Sequence, residues 1–176
     1  MTIYDMSNTE RHLLLCEAFG GQGYIMKHRQ GKNIISFQES ASLVHYGHRE
    51  RDPHNLTLVD VDNIESLDII NHLYSVKPDF IVFQNNKCIW NQKRNRLAGY
   101  PDLVVEVWSD GNTKIDKEEK FLIYSNSQGK TEHWYIEQDS NDIICYIGTT
   151  KLPSQSLKYP LKTQNGLEFD LTYLVL

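Results

Sequence analysis

The stretch PDLVVEVWSDGNTKIDKEEKFLIYSNSQGKTEHWYIE, residues 101–137, decides how this chain is read. Its opening, residues 102–108, is apolar and β-branched at successive positions, the pattern of a strand buried on both faces. Two acids, Asp102 and Glu106, interrupt it. Ser109-Asp110-Gly111-Asn112 forms a polar break. Residues 114–126 then predict a helix, and Asp116, Lys120 and Tyr124 fall four apart on one stripe of it. Residues 133–137 predict a second, aromatic strand. An earlier run, KPDFIVF over residues 77–83, predicts another strand with Asp79 near its start.

Distance decides which acids can act together. A strand rises about 3.3 Å per residue, so Asp102 and Glu106 sit roughly 13 Å apart on one face. Carboxylates sharing a Mg²⁺ ion each bring an oxygen to about 2.1 Å from it. These two therefore cannot easily share one. Glu106 needs an acid from a neighbouring strand, about 4.8 Å away. Asp79 is the candidate if its strand pairs beside 102–108, and the backbone carbonyl of Val107 is a third candidate oxygen. Carboxylates beside a lysine are what a metal-dependent phosphodiesterase requires: the ion polarises the phosphate and acidifies water, and the cation offsets charge on the phosphate. The same residues admit a structural reading, with Glu106 facing solvent at a strand end, Asp116–Lys120 an ordinary helical ion pair and Tyr124 a core residue.

The order Pro78-Asp79, then Pro101-Asp-Leu-Val-Val-Glu-Val107, Ser109, Asp116, Lys120 and Tyr124 resembles the Uma-type family of endonucleases, a branch of the PD-(D/E)xK or restriction-endonuclease-like superfamily. The resemblance covers about residues 76–176. It implies an α/β (α+β) fold: a restriction-endonuclease-like mixed β-sheet flanked by helices. It implies hydrolysis of DNA phosphodiester bonds with Mg²⁺ or Mn²⁺, Asp79 and Glu106 as ligands, and Lys120 as the catalytic cation. The superfamily's usual lysine stands two residues after the glutamate, where this chain has Trp108; the Uma-type pattern carries it on the following helix, at Lys120. Glu17 matches the acid that superfamily members often place on their first helix, and Asp102 is a further acid at the start of the central strand. Pairing into a homodimer is also implied. A catalytically inactive relative, using the same fold to bind nucleic acid or protein, is the alternative.

Bulk properties bound this reading. At 176 residues, 40% apolar and 11% aromatic, the chain suits one domain over residues 1–176. No apolar run reaches a membrane span and no signal pattern opens the chain, so no membrane partner and a cytoplasmic location are expected. Three widely spaced cysteines, Cys16, Cys88 and Cys145, with no CxxC suit free thiols in a reducing compartment, and no zinc site built on them is expected. The net charge of −5 lacks the basic excess usual in proteins that grip DNA unspecifically. Local basic clusters at 27–32, 48–51 and 93–96 are the candidate DNA-facing segments.

Elsewhere, Ser7-Asn8-Thr9-Glu10 reads as a capping box opening a helix that Gly20-Gly21 should end. Strands are expected at 24–28, 33–38, 56–61, 79–83, 87–90 and 143–147. Residues 42–55 read as a polar loop, 62–74 as a short helix, and Asn165-Gly166 as a last hairpin turn. Gln128-Gly129-Lys130-Thr131 ends like a phosphate-binding loop, but Tyr124 stands where that loop needs glycine and a helix precedes it, so no nucleotide cofactor is expected. His45, His48 and His54 with Asp52 have only loose metal-ligand spacing.

Overall fold

The computed structural model describes residues 8–38, 41–46, 56–61, 73–85 and 87–176. Helix α1 (Asn8–His28) leads into β1 (Ile34–Gln38), β2 (Ser42–Tyr46), β3 (Thr57–Leu58), β4 (Tyr74–Val76) and β5 (Phe80–Gln84). A hairpin, β6 (Ile89–Asn91) and β7 (Arg96–Ala98), precedes β8 (Leu103–Trp108). Helix α2 (Lys114–Ser125) then crosses to β9 (Glu132–Glu137) and β10 (Asp142–Ile147). Short strands finish the chain: β11 (Thr150–Lys151), β12 (Gln155–Ser156), β13 (Leu161–Lys162) and β14 (Glu168–Phe169), then a 3₁₀ turn, Thr172–Leu174.

The strands form an α+β arrangement. The larger sheet has the order β1-β5-β8-β9-β10-β11, with β12 also on β10. β5 runs antiparallel to β8, and β8 runs parallel to β9, the crossover being α2. A second sheet has the order β3-β2-β7-β6, with β4 on β2. β13 and β14 pair as the hairpin expected at Asn165-Gly166.

Period-two alternation divides the larger sheet's residues between two cores. Phe80, Val82, Leu103, Val105, Trp134 and Ile136 pack with Leu15, Phe19 and Met26 of α1 and with Phe169. Ile81, Phe83, Val104 and Tyr135 pack with Ile123 and Tyr124 of α2 and with Leu43 and Leu97 of the smaller sheet. Glu106 follows Val104 by two and so falls on the α2 side, in a strand that carries apolar residues at its five other positions. Arg11 ties α1 to the far end of the chain, donating to the carbonyls of Gln138 at 2.9 Å and Leu174 at 2.7 Å.

Three expectations are corrected. Gly20-Gly21 does not end α1, which continues to His28 where a strand at 24–28 was expected. Gly20 and Gly23 are packing residues: a Cβ at Gly23 would stand 2.6 Å from the Ser36 hydroxyl and 3.3 Å from the Phe80 ring, and one at Gly20 would collide with Gln38. Residues 42–46 are a strand, mostly buried, rather than loop, because Leu43 packs into the second core and Val44 packs with Val59 and Ala98. Tyr74 lies in β4 rather than at a helix end; the rest of that expected helix, 62–72, lies outside the described residues, as do His48, Asp52 and His54. Asp116, on the stripe with Lys120 and Tyr124, sits in the first turn of α2. It completes a capping box with Thr113, whose hydroxyl accepts the Asp116 N–H while the Asp116 carboxylate accepts from the Thr113 backbone.

Candidate active site at the ends of β5 and β8

The central strand places Glu106 with no exposed surface. Buried carboxylates need compensating donors, and α2 supplies both. Lys120 and Tyr124 stand four apart, so they share a helical face. Lys120 Nζ lies 2.5 Å from Glu106 Oε2, and the Tyr124 hydroxyl donates to Oε1 at 2.6 Å. Lys120 also donates to the Lys77 carbonyl at 3.3 Å, tethering α2 to the residues that lead into β5.

Burial drives the electrostatics here. It pushes the Glu106 carboxyl up to about 7, with the charge of Asp79 adding to the rise and Lys120 and Tyr124 opposing it. Burial, then the Glu106 charge, raises the Tyr124 hydroxyl well above its ordinary value, so it stays protonated and donates.

Asp79 stands just before β5, across the antiparallel pair from the end of β8. Its Oδ2 accepts the backbone N–H of Val107 at 2.6 Å, and its Oδ1 lies 3.6 Å from His12 Nε2 on α1. One donor atom each from His12, Cys16 and Asp79 lie within 4.8 Å of one another. His12 and Cys16 are four apart on α1, and the register of that helix is held by Leu15 and Phe19 in the core.

The acids foreseen in the sequence thus have different surroundings. Asp79, Glu106 and Lys120 meet at one end of the larger sheet, with the Val107 N–H joining them through Asp79. Asp102 is at the other end of β8. Its Oδ2 accepts the Gln84 N–H at 2.6 Å and its Oδ1 accepts the Asn165 amide at 3.2 Å, which fastens the last hairpin to β5. Glu17 is exposed on α1. His45 is buried in β2 of the smaller sheet. His12 carries no role in the sequence reading and Cys16 only that of a free thiol; their i, i+4 spacing on a predicted helix was the available signal.

A divalent ion can be tested against these side chains. Mg²⁺ takes oxygen ligands and keeps several waters. Asp79 turns Oδ1 toward the cluster, its other oxygen being engaged by Val107. Both Glu106 oxygens receive donors from α2, so as arranged neither faces an ion beside Asp79. An imidazole nitrogen and a sulfur gather around Asp79 instead, a donor set suited to a borderline transition ion rather than to Mg²⁺.

Comparison with known proteins follows the same line. Residues 48–170 match the Uma2 family, described as "Putative restriction endonuclease". Among solved structures, the chain is similar to one described as a "putative nuclease belonging to DUF820 from Anabaena variabilis", with a TM-score of 0.56 and 14% identity over 97% of this chain and 83% of that one. At that identity the likeness is one of fold. No curated protein matches the chain. No described helix is long and apolar enough to cross a membrane.

Proposed function

The chain belongs to the Uma2 family, and from that premise we propose that it is a nuclease: an endonuclease that hydrolyses DNA phosphodiester bonds with a divalent cation, Asp79, Glu106 and Lys120 forming its site. The observation that carries the reading is the fully buried Glu106 gripped by Lys120 at 2.5 Å beside the Asp79 strand end. Few structural roles call for an acid in the middle of an otherwise apolar central strand.

The cation, Mg²⁺ or Mn²⁺ on the family pattern, would polarise the scissile phosphate and acidify the attacking water when bound. Asp79 would hold it through Oδ1, the Val107 N–H fixing the carboxylate through Oδ2. Glu106 has no surface of its own and acts through Lys120, whose side chain is 22% exposed. A carboxyl pushed up to about 7 stands ready to take or return a proton near neutral pH. Lys120 Nζ, one contact outward, meets water or the phosphate and offsets the charge that develops there. Tyr124 holds the other oxygen and keeps the carboxylate from turning.

Purified protein should nick or cut DNA in Mg²⁺ or Mn²⁺, and Glu106→Gln and Lys120→Ala should each lose cleavage by at least about a hundredfold. Undiminished cutting by folded Glu106→Gln removes the assignment. The binding-module alternative draws on one observation, that both Glu106 oxygens are already satisfied within the fold. It predicts DNA binding in chelator with no cleavage in any divalent ion.

A further inference from the structure

The structure assigns a transition-metal site to His12, Cys16 and Asp79, a nitrogen–sulfur–oxygen set that would take a borderline divalent ion such as Zn²⁺ in place of an all-oxygen Mg²⁺ site. Zinc bonds run about 2.3 Å to sulfur and about 2.0–2.2 Å to nitrogen and oxygen. The edge of such a tetrahedron is therefore about 3.5 Å. His12 Nε2 and Asp79 Oδ1 are already 3.6 Å apart. Every pair in the set lies within 4.8 Å, so sulfur needs to move by only about 1 Å to close it.

The surrounding fold prepares this set. His12 and Cys16, at i and i+4, project from the same side of α1, as two ligands on one helix must. Leu15 and Phe19, both fully buried, together with the Arg11 hydrogen bonds to the Gln138 and Leu174 carbonyls, fix how α1 is rotated. The Val107 N–H takes Asp79 Oδ2 and leaves Oδ1 aimed at His12, a supporting contact of the kind that orients ligating carboxylates. Three protein ligands leave a fourth position for water, as in catalytic zinc sites. Cys16 is 3% exposed while His12 and Asp79 are partly exposed, so the open position faces outward, away from the sulfur. Binding replaces the thiol proton with the metal and releases that proton to solvent.

The inference rests on the nuclease reading above but replaces its Mg²⁺ or Mn²⁺ with a borderline ion that His12 and Cys16 hold together with Asp79, and its test does not depend on cleavage. Co²⁺ alone is titrated into the full chain while near-ultraviolet absorption is followed. A cobalt–thiolate bond gives an intense charge-transfer band, which neither carboxylate nor imidazole ligation produces. The expected result is one Co²⁺ per chain with that band, displaced by Zn²⁺. Cys16→Ala should lose the band. His12→Asn, at a partly exposed position that tolerates change, should weaken Co²⁺ at least about tenfold with an unchanged circular dichroism spectrum.

Co²⁺ binding without the band, equal affinity in His12→Asn, or no Co²⁺ binding at millimolar concentration each overturns the assignment. Cleavage assays separate this failure from that of the nuclease. Mg²⁺-dependent cutting that Cys16→Ala retains, with no band in the wild type, leaves the nuclease and removes the His–Cys–Asp site. The band without cutting in any ion keeps the site and removes the nuclease.

Discussion

Asp79 closes the hydrogen-bond ladder of the neighbouring strand: its Oδ2 accepts the backbone N–H of Val107 at 2.6 Å, one residue beyond Glu106. A side chain here does what a strand carbonyl would do farther along the pair. Asp79 is thus both a candidate ligand and a structural latch, and two substitutions separate the roles. Asp79→Asn keeps an acceptor oxygen for Val107 and should unfold within about 0.5 kcal/mol of wild type in chelator. Asp79→Ala leaves the Val107 N–H without its acceptor and should lose about 1–2 kcal/mol. Both should abolish stabilisation by divalent ions. Urea unfolding of the three proteins, with and without metal, provides the comparison; equal losses for Asn and Ala would remove the latch.

The Glu106–Lys120 pair should reveal itself through non-additivity. Removing one partner of a buried pair commonly costs about 3–5 kcal/mol, since the other charge is left stranded. Lys120 is partly exposed, so water screens the loss and about 2 kcal/mol is the expected cost of Lys120→Met. Glu106→Gln should cost a similar amount. The double variant should be less destabilised than the sum of the two by at least about 1 kcal/mol. Additive single changes in a double-mutant cycle would mean that the contact contributes nothing to the fold.

The central unit was legible because it rests on local signals. An apolar β-branched run, a polar break, a capped helix and an aromatic strand each follow from nearest neighbours, and β8, α2 and β9 lie where those signals put them. The pairing of β5 with β8 was legible as a condition: Glu106 needed an acid from an adjacent strand, and that strand is antiparallel to β8. The first half was harder to read. Gly20-Gly21 looks like a helix stop, but the propensity term is outweighed by the close approach of β1 and β5 to α1 at Gly20 and Gly23, which only the tertiary fold supplies. Ending the helix early also split His12 and Cys16 from the rest of α1's buried face. At Asp116 two local signals coincide, since the i, i+4 stripe of α2 and the N3 position of its capping box fall on the same residue.

The glycines of α1 give a paired test of that account. A Cβ at Gly21 meets nothing within 4 Å. Gly21→Ala should therefore stabilise by about 0.5–1 kcal/mol, the ordinary helix preference for alanine. At Gly23 the same gain is opposed by a Cβ 2.6 Å from the Ser36 hydroxyl and 3.3 Å from Phe80. Phe80 is fully buried and cannot withdraw. Gly23→Ala should be destabilising by about 1–2 kcal/mol net. Thermal melts of the two variants should move in opposite directions; a stabilised Gly23→Ala would mean that α1 does not press on β1 and β5 as described.

The dependence of stability on pH should carry two opposed signatures in the same range. His133 is fully buried, with Nε2 2.9 Å from the Gly148 carbonyl and Nδ1 2.7 Å from the Tyr135 hydroxyl. A carbonyl only accepts, so Nε2 carries the proton and Nδ1 accepts from Tyr135. Burial lowers His133 to about 4, the Gly148 contact only partly opposing it, and burial lowers His45 to about 4 as well. Below the ordinary histidine value of 6.5 the unfolded chain takes protons that the fold refuses. Stability from the two histidines is therefore present above that value and is lost as pH falls toward about 4, by about 3 kcal/mol each. Glu106 runs the other way. Its folded value of about 7 exceeds the ordinary 4.5, so its contribution is present below 4.5 and is lost as pH rises through about 7. In chelator, between about pH 7 and pH 5, the histidines should prevail and wild type should weaken on acidification. His133→Gln should flatten that decline, whatever its cost at neutral pH. Glu106→Gln should steepen it, since the opposing carboxyl is gone. Urea midpoints for the three proteins across this range decide the matter: a Glu106→Gln slope no steeper than wild type would mean that Glu106 titrates in the fold as it does in water.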